Sequence, residues 1–197
     1  MSTFTDSEAS KIRLLQALSF AVKHGQTAKE TAKAMSVSAL VIESGGNEDE
    51  AIAALLHQYL ETADREKAIS VVAETFGFEV AYIVGDLPAS FNPDKKYAEH
   101  LSWSNDSVQF VNCARNLHEL RSQYSSDKSL WTAEKSDLYA RLISIYEECD
   151  RVPAHWVEEM KILLAGMTSP MVQIPLEEYE SLQLWAAEGR EWDREFD

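Results

Sequence analysis

The stretch that decides the fold is GGNEDEAIAALLH, residues 45–57. Its Gly-Gly pair predicts the end of one helix. Asn47, with Glu50 three residues later, has the spacing of a capping box, which predicts the start of the next helix. That helix is predicted to run through AIAALLHQYLET to residue 62. The acidic run NEDE suits a helix N-terminus, because negative charge there stabilises the helix dipole; a binding patch is the alternative.

Two titratable side chains on this predicted helix, His57 and Glu61, are candidates for chemistry. They are four residues apart, so an unbroken helix would place both on one face. An imidazole and a carboxylate in that arrangement can share a metal ion or relay a proton. The alternative is a histidine that packs at the edge of the core and pairs with Glu61. The spacing alone leaves both interpretations open.

Helical periodicity extends from this stretch along nearly the whole chain. Thr5 and Glu8 predict a capping box for a first helix. We therefore predict an all-α fold, with residues 1–165 as one helical domain and residues 169–197 as a C-terminal appendage with one short strand and one helix. Further helices are predicted at 31–44, 65–76, 78–87, 106–124, 132–149 and 154–166, with a loop at 88–96.

Composition narrows the class of protein. The chain has 197 residues, 45% of them apolar, which is enough for a sizeable core. A formal net charge of −15 argues against direct binding of nucleic acid or an anionic membrane and favours a basic protein partner. Two cysteines give neither a disulfide framework nor a cysteine-based zinc site. The N-terminus lacks the features of a signal peptide and no apolar stretch could span a bilayer, so we expect a cytoplasmic protein.

Four separate blocks occur in a recognisable order: FAVKHGQTAK (20–29), GGNEDEAIAALLH (45–57), ETFGFEVAYIVGDL (74–87) and VNCARNLHELR (111–121). Together they resemble the HD-domain alarmone hydrolases, the RelA/SpoT-type hydrolases of guanosine tetraphosphate, including the small single-domain forms. The resemblance covers about residues 12–125. It implies an HD-type helical bundle.

The resemblance also implies where a metal site would lie. In the family, two histidines and two aspartates hold a divalent ion, usually manganese, which lowers the pKa of the attacking water. His57 matches the histidine of the His-Asp doublet, but Gln58 stands at the aspartate. Arg115 stands at the last aspartate. The block with the first histidine is absent, and its nearest equivalents are Lys33 or Ser36.

Some of the residues that position water and bind phosphate in the family are also replaced in this sequence. Glu61 matches the glutamate of the Glu-Asp pair that positions water, whereas Thr62 replaces its aspartate. Of the Arg-Lys pair that binds phosphate, only Lys29 remains. A guanidinium at a metal position repels a divalent ion, so we expect no cofactor and no metal-dependent hydrolysis. Arg115 is expected to pair with Glu61 in the space that the metal would occupy.

We therefore expect a catalytically degenerate HD-domain protein that acts by binding. One candidate ligand is a nucleotide that is held without cleavage. The other is a protein partner, such as a basic toxin or enzyme. The residues predicted to bind the nucleotide are Lys29, Lys33, Arg115 and Arg121.

Two alternatives remain open from the sequence. The first is a manganese-dependent nucleotide pyrophosphohydrolase that keeps His57 and recruits other ligands. The second concerns the acidic tail, which either folds back over the domain or mediates partner binding or homodimerisation. The residues considered for a rearranged metal site are His24, His100, His118 and Asp106, and those considered for partner binding are Trp185, Trp192 and Phe196.

Overall fold

The computed structural model describes residues 8–24, 27–62, 64–88, 95–126 and 131–168, and all regular secondary structure in these ranges is helical. The prediction of an all-α fold is confirmed. Within the same ranges, no helix is both long enough and apolar enough to cross a lipid bilayer. The helices in chain order are α1 (Glu8–Lys23), α2 (Ala28–Glu43), α3 (Glu48–Leu56), α4 (Tyr59–Thr62), α5 (Arg65–Phe76), α6 (Phe78–Asp86), α7 (Lys95–Trp103), α8 (Asp106–Tyr124), α9 (Ala133–Glu147) and α10 (Ala154–Thr168).

Local capping explains where several of these helices begin and end. The Asn47 side chain accepts a hydrogen bond from the Glu50 amide at 2.9 Å, and the Glu50 carboxylate accepts one from the Asn47 amide at 2.7 Å. The predicted capping box of α3 is thus confirmed. Asp64 caps α5 as predicted. Gly77 separates α5 from α6 with φ +99°, a conformation that favours glycine.

Helix α3 lies at the centre of the bundle. Its run Ala51–Leu56 is almost completely buried, with no residue more than 3% exposed. A helix that is apolar on all sides needs neighbours on all sides, and α3 packs against α1, α2, α6 and α8. The position of α3 therefore fixes the position of His57, which follows it directly.

A buried ion pair fastens the N-terminus of α3 to the rest of the bundle. Glu50 is fully buried, and its carboxylate accepts hydrogen bonds from the Arg151 guanidinium and from the Ser107 hydroxyl. The Arg151 guanidinium also lies 5.0 Å from the centroid of the Phe110 ring, which stacks on Trp156 at 5.2 Å. This network joins α3, α8 and the connection between α9 and α10.

A second buried polar network lies along α8. Asn112 accepts a hydrogen bond from the Tyr97 hydroxyl at 3.1 Å and donates one to the Tyr146 hydroxyl at 2.9 Å. Asn116 donates to the same Tyr146 hydroxyl at 2.7 Å. These bonds hold α7 and α9 against α8, because each partner belongs to a different helix.

The structure differs from the sequence predictions at three helices. The unbroken helix predicted at 51–62 is wrong, because α3 ends at Leu56 and α4 begins at Tyr59. Helix α2 begins earlier than predicted, behind a capping box of Thr27 and Glu30. Helix α7 was not predicted. Thr5 and the strand and helix predicted within 169–197 lie outside the described residues.

Candidate functional site

His57 occupies the break between α3 and α4 and is 5% exposed. Its Nδ1 lies 2.7 Å from the carbonyl oxygen of Ala54. A carbonyl only accepts hydrogen bonds, so Nδ1 carries the proton and Nε2 is left as an acceptor. Burial and the charge of Arg115 lower the pKa of His57 to about 3, although the Ala54 bond opposes this. His57 is therefore neutral at physiological pH.

Three basic side chains from α2 and α8 act electrostatically on His57. Arg115 has the largest electrostatic effect on it, followed by Lys33 and His118, and all three disfavour its protonation. Burial and the charge of Lys33 also lower the pKa of His118. Helices α2, α3 and α8 pack against one another in pairs, which brings these residues together. We call His57, Lys33, Arg115 and His118 the His57 cleft, a name for the cluster that their mutual electrostatic effects define.

The two permanent cations of the cleft are held in place by neighbours. Arg115 donates a hydrogen bond from Nη1 to the carbonyl of Pro88 at 2.7 Å. The Lys33 ammonium forms an ion pair with Glu119. Burial alone would raise the pKa of Glu119, but hydrogen bonds from Lys33 and Gln123 outweigh it and lower the pKa. Glu119 is thus a carboxylate that positions Lys33.

Gln58 has a buried side-chain oxygen that accepts no hydrogen bond from the described residues. Leaving a buried acceptor without a donor costs about 1–3 kcal/mol. Gln58 follows His57 directly and lies in the same break between α3 and α4.

The four residues predicted to bind a nucleotide have different surroundings in the structure. The charges of Lys33 and Arg115 both lower the pKa of His57. Arg121 forms a bidentate ion pair with Glu159, with N–O distances of 2.6 and 2.7 Å. Lys29 lies exposed on α2. Nucleotide binding by these residues stays a prediction.

For several other predicted site residues, the structure describes only the backbone or does not describe the residue. The backbone of Glu61 and Thr62 belongs to α4, and their side chains lie outside the described part of the chain. The expected pairing of Arg115 with Glu61 stays a prediction. The predicted partner-binding residues of the tail are also outside the described ranges; they are Trp185, Trp192 and Phe196.

The described side chains do not fit a manganese centre. Within the described ranges, no three or more His, Cys, Asp or Glu side chains form a group that could hold a metal ion. Of the residues considered for a rearranged site, His24 packs its ring on Phe20 at 4.1 Å. His100 pairs with Asp86 at 2.9 Å. Asp106 lies in the first turn of α8. The charges of Lys33, Glu119 and Arg121 all act on His118.

The sequence analysis did not identify the two α8 residues that accompany Arg115. His118 was considered only as a metal ligand, and Glu119 was given no role. Both follow Arg115 at the spacing of one helical turn, so they share a face with it. That spacing is a signal that the sequence contained.

The sequence profile described as HD domain matches residues 13–144, about two thirds of the chain. The chain belongs to the HD domain family. No curated protein matches it. The match ends within α9 and so includes every residue of the His57 cleft. Family membership supports a phosphohydrolase-type ancestry for the cleft, while the finer resemblance to alarmone hydrolases stays a prediction.

Proposed function

We propose that this HD-domain protein binds a phosphate-bearing nucleotide in the His57 cleft and does not hydrolyse it. The observation that carries the proposal is that the charges of Lys33 and Arg115, on two helices that pack together, both act on a neutral His57. A guanidinium presents five N–H donors in a planar fork that matches phosphate, and the bond from Arg115 to Pro88 uses one of them. Charge-assisted hydrogen bonds to phosphate are among the strongest that side chains form.

The same charges disfavour a divalent metal at this position. Two unit charges of the same sign at about 4 Å repel by roughly 4 kcal/mol in a partly buried site, and a divalent ion doubles that. Gln58 offers a neutral amide oxygen in place of a carboxylate, which is a weaker ligand for a hard cation. The positive charges of Lys33 and Arg115 attract an anion, whereas they repel a metal ion.

The resemblance of the four sequence blocks to hydrolases of guanosine tetraphosphate favours a nucleotide over inorganic phosphate. We infer that its phosphates lie towards Arg115 and Lys33, because these side chains carry the positive charge that acts on His57.

Isothermal titration calorimetry with guanosine tetraphosphate in EDTA tests this proposal. We expect binding without metal, weaker binding of pyrophosphate and no turnover after manganese is added. Arg115→Gln and Lys33→Gln should each weaken binding at least tenfold, which corresponds to about 1.4 kcal/mol. Lys29→Gln, an exposed lysine on the same helix as Lys33, is the matched control and should leave affinity unchanged. Binding that Arg115→Gln does not weaken would contradict the proposal.

The second candidate is a manganese-dependent nucleotide pyrophosphohydrolase with rearranged ligands. Family membership and the retained His57 favour it. It requires that the purified protein contain nearly stoichiometric manganese and that His57→Ala abolish turnover of guanosine tetraphosphate. Elemental analysis and a phosphate-release assay therefore distinguish the two candidates.

A further inference from the structure

Helices α5 and α6 leave an open apolar groove between them, with a volume of about 610 Å³. Phe78 is 86% exposed there and Tyr82 is 48% exposed. We call this surface the α5–α6 groove. It is lined by Ile69, Ser70, Ala73, Phe78, Ala81, Tyr82, Gly85 and Asp86.

The floor of the groove is formed by the close approach of α5 and α6. A Cβ atom added at Gly85 would lie 3.3 Å from Cδ1 of Ile69, so the two helices approach closely at this point. The α5 residues Ala68, Val72 and Phe76 face the core and are buried. Phe78 has no such packing role, because most of its surface contacts solvent. An exposed aromatic side chain beside a preformed apolar groove is typical of an interaction surface.

Carboxylates flank the groove on both helices. Glu66 lies three residues before Ile69, and Glu74 lies one helical turn after Ser70. Glu79 lies three residues before Tyr82 on α6. All three carboxylates are exposed, and none takes part in an ion pair with the described residues.

Of the nearby cations, Lys67 is exposed three residues before Ser70, whereas Arg65 and His100 bond to groups of the protein itself. Arg65 is half-buried, and its Nη2 donates to the carbonyls of Gly85 and Leu87 at 2.7 and 2.8 Å. His100 pairs with Asp86 at the end of the groove. The groove therefore combines aromatic and aliphatic side chains with flanks on which three exposed carboxylates outnumber one exposed lysine.

We propose that the α5–α6 groove docks a basic amphipathic segment of another protein. Its apolar side chains would cover Phe78 and Tyr82, and its lysines or arginines would meet Glu66, Glu74 and Glu79. A cation over either aromatic ring adds a further attraction. The occupant follows from charge complementarity, since an acidic segment would be repelled by the flanking carboxylates. The proposal does not depend on a ligand in the His57 cleft.

Fluorescence anisotropy with the full chain tests this proposal. The probe is a labelled synthetic helix of leucine on one face and lysine on the other, and a leucine–glutamate peptide is its counterpart. We expect the lysine peptide to bind, with weaker binding at high salt, and the glutamate peptide not to bind. Phe78→Ser and the double variant Glu66→Lys/Glu79→Lys should each weaken binding at least tenfold.

Two matched controls separate specific docking from general attraction to an acidic protein. Leu15→Ser changes an exposed apolar residue on α1, and Glu148→Lys changes an exposed carboxylate at the end of α9. Both variants should bind the lysine peptide within twofold of the affinity of the unsubstituted protein. Their melting temperatures should match that of Phe78→Ser. Equal losses in the controls would overturn the proposal, as would unchanged binding to Phe78→Ser.

Sedimentation velocity measures whether a second copy of this chain occupies the groove. A dimer that forms without peptide and dissociates in Phe78→Ser would make a second copy of this chain the occupant and would overturn the proposal. A monomer throughout, together with peptide binding, supports it. Calorimetry with guanosine tetraphosphate on Phe78→Ser should match the unsubstituted protein, so failure of one proposal is distinguishable from failure of the other.

Discussion

Glu50→Gln tests the buried ion pair that holds α3 in the bundle. The substitution keeps the shape of the side chain and removes its charge. In the structure the carboxylate is fully buried and Arg151 is only 12% exposed. The Glu50 oxygens accept bonds from Arg151 Nε at 3.2 Å and from Ser107 at 2.9 Å, and one also accepts from the Asn47 amide of the capping box. Glutamine cannot satisfy all these donors.

The expected cost follows from that burial. Removing one partner of a buried ion pair typically costs about 3–5 kcal/mol, because the other charge is left buried without compensation. At roughly 2–4 °C per kcal/mol for a chain of this size, the melting temperature should fall by about 6–20 °C. Urea denaturation followed by circular dichroism gives the free energy of unfolding directly.

A control lies in the same first turn of α3. Glu48 pairs with Arg13 at 2.6 Å, but the two side chains are 21% and 37% exposed. Glu48→Gln should cost less than about 1 kcal/mol, since partly exposed ion pairs contribute little. Adding Arg151→Met to Glu50→Gln should recover part of the loss, because the uncompensated charge is gone. A loss from Glu50→Gln no larger than that from Glu48→Gln would refute the reasoning.

Three further predictions concern other buried groups. The pKa of His57 falls from 6.5 to about 3 on folding. Below pH 6.5 the unfolded chain therefore binds more protons than the folded one, so the free energy of unfolding must decrease as the pH drops. Between pH 7 and 5, urea denaturation should show that the unsubstituted protein loses about 2 kcal/mol more of this free energy than His57→Asn. Gly46→Ala should destabilise by about 1–3 kcal/mol in the same assay, because the new Cβ would lie 2.6 Å from the Val41 carbonyl oxygen and 3.1 Å from the Phe110 ring; an unchanged stability would contradict this. Burial raises the pKa of Cys113 well above its usual value, so this thiol should react with a chromogenic disulfide reagent only after denaturation.

Much of the fold was predictable because its signals are local. The capping box of α3 and the glycine at position 77 lie within a few residues of the boundaries that they set. The break at His57 and Gln58 has no such signal, since neither residue is a helix breaker. It depends on how α3 and α4 pack against the rest of the bundle. Local periodicity cannot report that packing.

The cleft was predictable only through the family resemblance. Lys33 and Arg115 belong to different helices, and only the packing of α2 against α8 brings both to His57. The same limitation explains Arg121, whose partner Glu159 lies 38 residues away on α10. Its charge was visible in the sequence, but its pairing was not.

Helix α8 carries buried residues that hold the fold and half-buried residues that we propose bind a ligand. Ala114, Asn116 and Leu117 are buried and pack or bond within the bundle. Arg115 and His118, one helical turn apart, are only half-buried and line the cleft. A change of charge at position 115 can therefore alter what the cleft binds while the buried positions still specify an HD bundle. Family membership establishes the fold of this chain, and the chemistry has to be argued from the half-buried face of α8.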